Sequence, residues 1–170
     1  SAVMGAVALV GCGGDKRAED GDAARTPQQV IEQLEASGKL PRLERLPSVE
    51  GMDANGNGVR DDIETHIHRK YTDPAQRKAA MQMARALQRA LLVDKSDSVA
   101  IDAAAQAIAK AVDCSFDIFA GADNEKHRYR MSNELESITT NTKERLNAYL
   151  AFNKAVSGSV TSSYESRGCD

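Results

Sequence analysis

Residues 53–64 read Asp-Ala-Asn-Gly-Asn-Gly-Val-Arg-Asp-Asp-Ile-Glu, a short stretch dense in oxygen donors. Asp53, Asn55 and Asn57 fall at two-residue steps, Asp61 and Glu64 follow, and Gly56 and Gly58 lie between them. Carboxylate and amide oxygens suit a hard cation, Ca2+ first among them. Donors at alternate positions can curl around one ion, a glycine permits the sharp turn, and a Glu in the first turn of a following helix can close the site. The chemistry this points to is coordination rather than catalysis.

The stretch matches every fixed position of the EF-hand calcium loop, which it resembles: Asp, two further Asp or Asn at two-residue steps, Gly, five free residues, Glu. The resemblance implies side-chain ligands from Asp53, Asn55, Asn57 and Glu64, the backbone carbonyl of Val59, and Asp61 either directly or through water. Two departures stand out. Arg60 occupies the eighth position, where paired EF-hands carry an aliphatic residue, and Pro47 and Gly51 disfavour a regular entering helix. The motif is therefore closer to the loop-then-helix calcium sites of bacterial exported proteins. Three carboxylates with Asn at the third and fifth positions imply weak binding, with Kd about 10⁻⁴ to 10⁻³ M. A plain Asn-Gly surface turn before an acidic helix start is the competing reading of the same residues.

Residues 1–11 carry no charge, and Cys12 follows Leu9-Val10-Gly11 directly. Eleven residues are too few to span a bilayer. The run resembles the apolar part of a signal peptide ending in a bacterial lipobox, which implies acylation of Cys12 and a lipid-anchored protein of the cell envelope facing the periplasm. Gly13 after the cysteine leans toward the outer membrane. Residues 13–25 contain no large apolar side chain, so the segment from Cys12 to residue 25 reads as a flexible tether with a reach of roughly 20 Å. A lipobox would consume one of three cysteines and leave Cys114 and Cys169 as a pair, for which an oxidising compartment favours a disulfide.

The remaining residues, 26–170, must form the domain that positions the loop. Thr26-Pro27 with Gln29 starts a helix that Gly38 stops, with Val30, Ile31 and Leu34 as its stripe. Pro41, Pro47 and Gly51 make 39–52 an extended connector, anchored by Leu40, Leu43 and Leu46. After the loop, Ile63, Ile67 and Tyr71 share one helix face. Asp73-Pro74 opens a third helix bearing Ala80, Met83, Ala84, Leu87, Ala90 and Leu91. A fourth runs from about 96–98 to Phe119 before Gly121, with Ile101, Ala104, Ala105, Ile108 and Val112 along it. From about Asp123 the stripe Met131, Leu135, Ile138, Leu146, Tyr149, Phe152 and Val156 continues to Gly158. Thr139-Thr140-Asn141-Thr142 interrupts it with either a kink or a fresh start at Asn141. No segment shows sustained period-two alternation, and 26 alanines suit close helix packing. The expected fold is all-α, an irregular helical bundle with one EF-hand-like loop and helix.

A formal charge of −3 and pI near 5.7 argue against a nucleic-acid partner. His66 and His68 stand two apart on a helix and diverge, unlike a zinc pair at four-residue spacing. His127 lies in a charged run, 125–130, that reads as a solvated helix face, and Met81 and Met83 read as core. No nucleophile sits in a Gly-rich elbow and no phosphate-cradling loop occurs, so an enzyme is not expected. The leading expectation is a calcium-binding, lipid-anchored envelope protein in which the ion clamps connector to helix. An envelope interaction module, such as an immunity or assembly partner with calcium incidental, is the first alternative, and an undetected hydrolase the second.

Overall fold

The structure, a computed structural model, describes residues 25–119, 124–157 and Cys169, with the backbone alone for 124–128. The signal-like run, the lipobox with Cys12, the tether up to residue 24, Gly121, the His127 side chain and the Ser-rich stretch before Cys169 lie outside the described residues. Six helices follow in order: α1 (Pro27–Ala36), α2 (Asp61–Lys70), α3 (Pro74–Leu92), α4 (Ser98–Ile118), α5 (Asn124–Thr139) and α6 (Lys143–Val156). The described residues contain no strand, and the fold is an all-α irregular bundle. None of these helices is long and apolar enough to cross a membrane.

Local chemistry sets the helix ends. Thr26 and Gln29 form a reciprocal capping box on α1, the Gln29 amide donating to Thr26 Oγ1 at 3.3 Å and the Thr26 amide to Gln29 Oε1 at 2.8 Å. Asp73 caps α3 through the Gln76 amide, and Asp97 caps α4 through the amides of Val99 and Ala100. At the far end of α3, the Lys95 ammonium donates to the carbonyls of Ala90, Leu91 and Val93, placing positive charge on the last orphan acceptors.

Helix α3 is the central element and packs against α2, α4, α5 and α6. Ile63 and Ile67 of α2 meet Ala80, Met83 and Leu87 of α3, Ala111 and Cys114 of α4, and Met131, Leu135 and Ile138 of α5 in the main core. A smaller cluster joins Ala90, Ile101, Ala104 and Phe152 near the other end. The alanines at contact positions on α3 and α4 let two long helices approach closely, which is the use their abundance suggested.

Helix α1 forms as expected, with Ile31 and Leu34 half-buried and Val30 40% exposed. Two expectations are corrected. Leu40 and Leu46 do not anchor the connector, since both are exposed, and only Leu43 packs on the core. The connector is held by polar bonds instead. Leu146 also faces outward at 44% exposure, because Arg145 beside it takes the inward position on α6. A fresh start replaces the kink, one residue later than Asn141: Thr142 caps α6 by accepting from the Arg145 amide at 3.3 Å. Within α6 the inward face is Arg145, Tyr149 and Phe152, and Leu146 stands beside it toward solvent.

Candidate metal centre

The loop between the connector and α2 is built by its own side chains. Asp53 accepts from the amides of Asn57 and Gly58, at 3.1 and 2.8 Å. Asn55 Oδ1 accepts from the Asn57 amide at 3.1 Å and Asn57 Oδ1 from the Val59 amide at 2.9 Å, two successive Asx turns. Asp61 Oδ1 accepts from the Ala54 amide at 3.1 Å, and the Asp61 amide returns to the Met52 carbonyl at 2.9 Å, so the two ends of the loop are stitched together. Gly56 and Gly58 hold φ of 67° and 80°, the left-handed region that only glycine enters without strain.

Two contacts tie this curl to the helices. Asn55 Nδ2 donates to Glu64 Oε2 at 3.0 Å, bringing the third and twelfth positions of the motif side by side. Arg85 of α3 packs its stem over Gly58 and donates Nε to the Asn57 carbonyl at 3.0 Å. Val59 is 1% exposed and carries the loop into the core beside Ile63 and Ile67. Among the described residues no three His, Cys, Asp or Glu side chains converge as a metal-ligand group. A cation here would therefore need the Asn oxygens and the Val59 carbonyl as well as Asp53, Asp61 and Glu64. Each of those acceptors keeps lone-pair capacity beyond its amide bond, so the donor chemistry fits a hard ion.

Arg60, the departure at the eighth position, is fully buried. Its guanidinium grips Asp62 through Nε at 3.0 Å and Nη2 at 2.7 Å, and donates to the carbonyls of Ile138 and Thr139 at 3.3 and 3.2 Å. Those carbonyls belong to the last turn of α5, where orphan acceptors and the helix dipole both favour a cation. Arg145 of α6 is equally buried and donates to the Glu44 carbonyl at 2.9 Å, to Glu44 Oε1 at 2.7 Å and to Asn141 Oδ1 at 2.9 Å. Glu44 in turn accepts from the Met52 amide and donates its own amide to Asp62 Oδ2, each close to hydrogen-bond optimum at 2.8 and 2.7 Å. The connector, the loop and the α5–α6 junction are thus one polar network.

Sequence reasoning missed this network, although it registered Arg60 as out of place and Asn141 as a helix breaker. A buried arginine pair leaves no spacing signature.

His66 and His68 diverge as expected. His66 Nε2 lies 2.7 Å from Glu134 Oε1, whereas His68 Nε2 lies 3.9 Å from Glu64 Oε1. Lys70 also pairs with Glu134. The hydrogen bond from His66, with Lys70 beside it, outweighs burial and holds the Glu134 carboxyl down at about 2. Burial pushes the Tyr71 phenol well above its ordinary range. The Cys114 and Cys169 sulfurs stand at disulfide-bonding distance, 2.00 Å, with Cα atoms 4.8 Å apart. Met83 is core and Met81 packs against it. Comparison with known proteins finds no matching family model, no similar characterised protein and no similar solved structure.

Proposed function

We propose that this chain is a calcium-binding protein of the bacterial cell envelope, anchored through lipidated Cys12, in which the 53–64 loop holds one Ca2+ as a structural clamp. The observation that carries the reading is the closure of the loop: Asn55 touches Glu64, and Asp53, Asn57 and Asp61 each hold a loop amide. An ion shared by Asp53, Asn55, Asn57, the Val59 carbonyl, Asp61 and Glu64 would join the connector to α2 and lower the repulsion among three carboxylates. The anchoring half rests on the Leu9-Val10-Gly11-Cys12 sequence and on the extracytoplasmic chemistry that a Cys114–Cys169 disulfide needs.

A calorimetric calcium titration of the chelator-stripped chain beside Glu64→Gln tests the clamp. One-site binding that the variant loses is expected, and absence of heat at millimolar calcium with the domain folded overturns it. For the anchor, labelled palmitate should enter the wild type and be lost in Cys12→Ser; unchanged labelling would sink it.

A second reading, an envelope interaction module, is favoured by Leu146 and Leu150, one turn apart on α6 and 44% and 55% exposed. Co-purification from membranes separates the two: a partner retained equally in calcium and in chelator supports this reading over the clamp.

A further inference from the structure

A cleft outside the loop's ligand set runs along α3, in two adjoining parts. One part, about 240 Å³, is walled by Arg85, Arg89 and Lys110, among others; the second, about 380 Å³, shares Arg85 and Arg89 and continues over Leu92, Val93 and Ala100. No Asp or Glu among the described residues lines either part. Cations thus gather at one end and aliphatic surface at the other. Arg85 is held by its bond to the Asn57 carbonyl, so the cationic end is braced by the loop.

We propose that this cleft binds a long-chain carboxylate, a free fatty acid, with its head at Arg89 and Lys110 beside Arg85 and its chain along Leu92, Val93 and Ala100. Charge complementarity selects an anionic head, since a guanidinium pairs with a carboxylate through two parallel bonds. The apolar end selects an acyl chain over a peptide. Besides the arginines, the side chains there offer one polar group, Gln88, whose Nε2 is spent on the Glu50 carbonyl at 2.7 Å and whose Oε1 is a single buried acceptor. Along Leu92, Val93 and Ala100 a peptide backbone would find no side-chain partner for its amides and carbonyls, at the cost of burying each one. Leu92, 48% exposed at the α3 end, gives the chain's far methylenes apolar cover. The site stands independently of whether the loop holds calcium.

The test is titration of the full chain with dodecanoate below its micelle concentration, in calcium-free buffer, with calorimetric detection. Saturable one-site binding is expected, weakened about ten-fold or more in Arg89→Glu and in Lys110→Glu, each with wild-type circular dichroism. Dodecyltrimethylammonium, with the same tail and opposite head, should not saturate. Absence of saturable dodecanoate binding, or binding that both reversals leave unchanged, overturns the proposal. Equal binding of the cationic amphiphile would also overturn it, reducing the cleft to an apolar patch. Binding only to phosphatidylglycerol vesicles would overturn it in favour of a membrane surface. Should the reversals fail to fold, amide shift changes in the wild type decide: confinement to residues 85–93 and 100–110 supports the site, and changes elsewhere refute it.

Discussion

Arg60 and Arg145, one at the eighth position of the candidate loop and one in the first turn of the last helix, share a single acceptor, Asn141 Oδ1, at 3.2 and 2.9 Å. Both guanidinium groups are fully buried. Asp62 and Glu44 neutralise them, at 2.7 Å each. Removing one partner strands a buried charge, which is far costlier than the net worth of the pair. Arg145→Ala should therefore destabilise the domain by about 3 to 5 kcal/mol, measured by urea unfolding. Asn141→Ala, which removes a neutral acceptor and the amide that donates to the Glu44 carbonyl, should cost about 2 kcal/mol.

Gly51 sits where the connector crosses those arginines, at φ 73°. A Cβ there would fall 2.4 Å from Arg60 Cδ and 2.9 Å from Arg145 Nη2. Gly51→Ala should thus lower stability by about 2 to 4 kcal/mol, from backbone strain and from displacement of side chains that have no room to move. Gly38→Ala is the control. It shares the positive φ but has open space around it, so its loss should stay near 1 kcal/mol.

Glu134 makes stability depend on acid. Its carboxyl sits at about 2 in the folded protein, below the roughly 4.3 of an unfolded Glu, so the folded state binds the proton less readily. The stabilisation is complete above pH of about 4.5 and drains away as pH falls toward 2. Solvent screening of this partly exposed group limits it to about 1 kcal/mol. Glu134→Gln should flatten the stability curve over that window, and an unchanged acid limb in a pH series of thermal melts would show that the pair with His66 and Lys70 contributes nothing.

Calcium, on the proposed clamp, stabilises by mass action. At about one hundred times Kd the gain is about 2.7 kcal/mol, seen as a rise in Tm that chelator reverses. Glu64→Gln should lose most of that rise while melting near the wild type without calcium. Val59 and Ile63, buried beside the loop, supply the core contacts that keep the apo domain folded.

The Cys114–Cys169 pair spans 55 residues of chain. By chain entropy a crosslink of that span is worth about 4 kcal/mol. Reductant should lower Tm in the wild type and leave Cys169→Ser unmoved. Two freely alkylated thiols in native, oxidised protein would refute the bond.

Much of the architecture was legible because it is local. Thr26 and Asp73 cap their helices through amides three residues on, and Ile63 and Ile67 fall on one face by helical periodicity alone. The turns between Asn55 and Val59 are local as well, since their Asx bonds join near neighbours. What tertiary structure alone decided is which polar side chains go inside. Arg60 reads as surface by composition, yet the last-turn carbonyls of α5, distant in sequence, repay its desolvation. Leu40, Leu46 and Leu146 read as core, yet the connector is fastened by Glu44 and Arg145, and Arg145 takes the inward place beside Leu146. Periodicity records the preference of a residue for water or oil one turn at a time. Only the packed fold brings together the acceptors that make a buried charge stable.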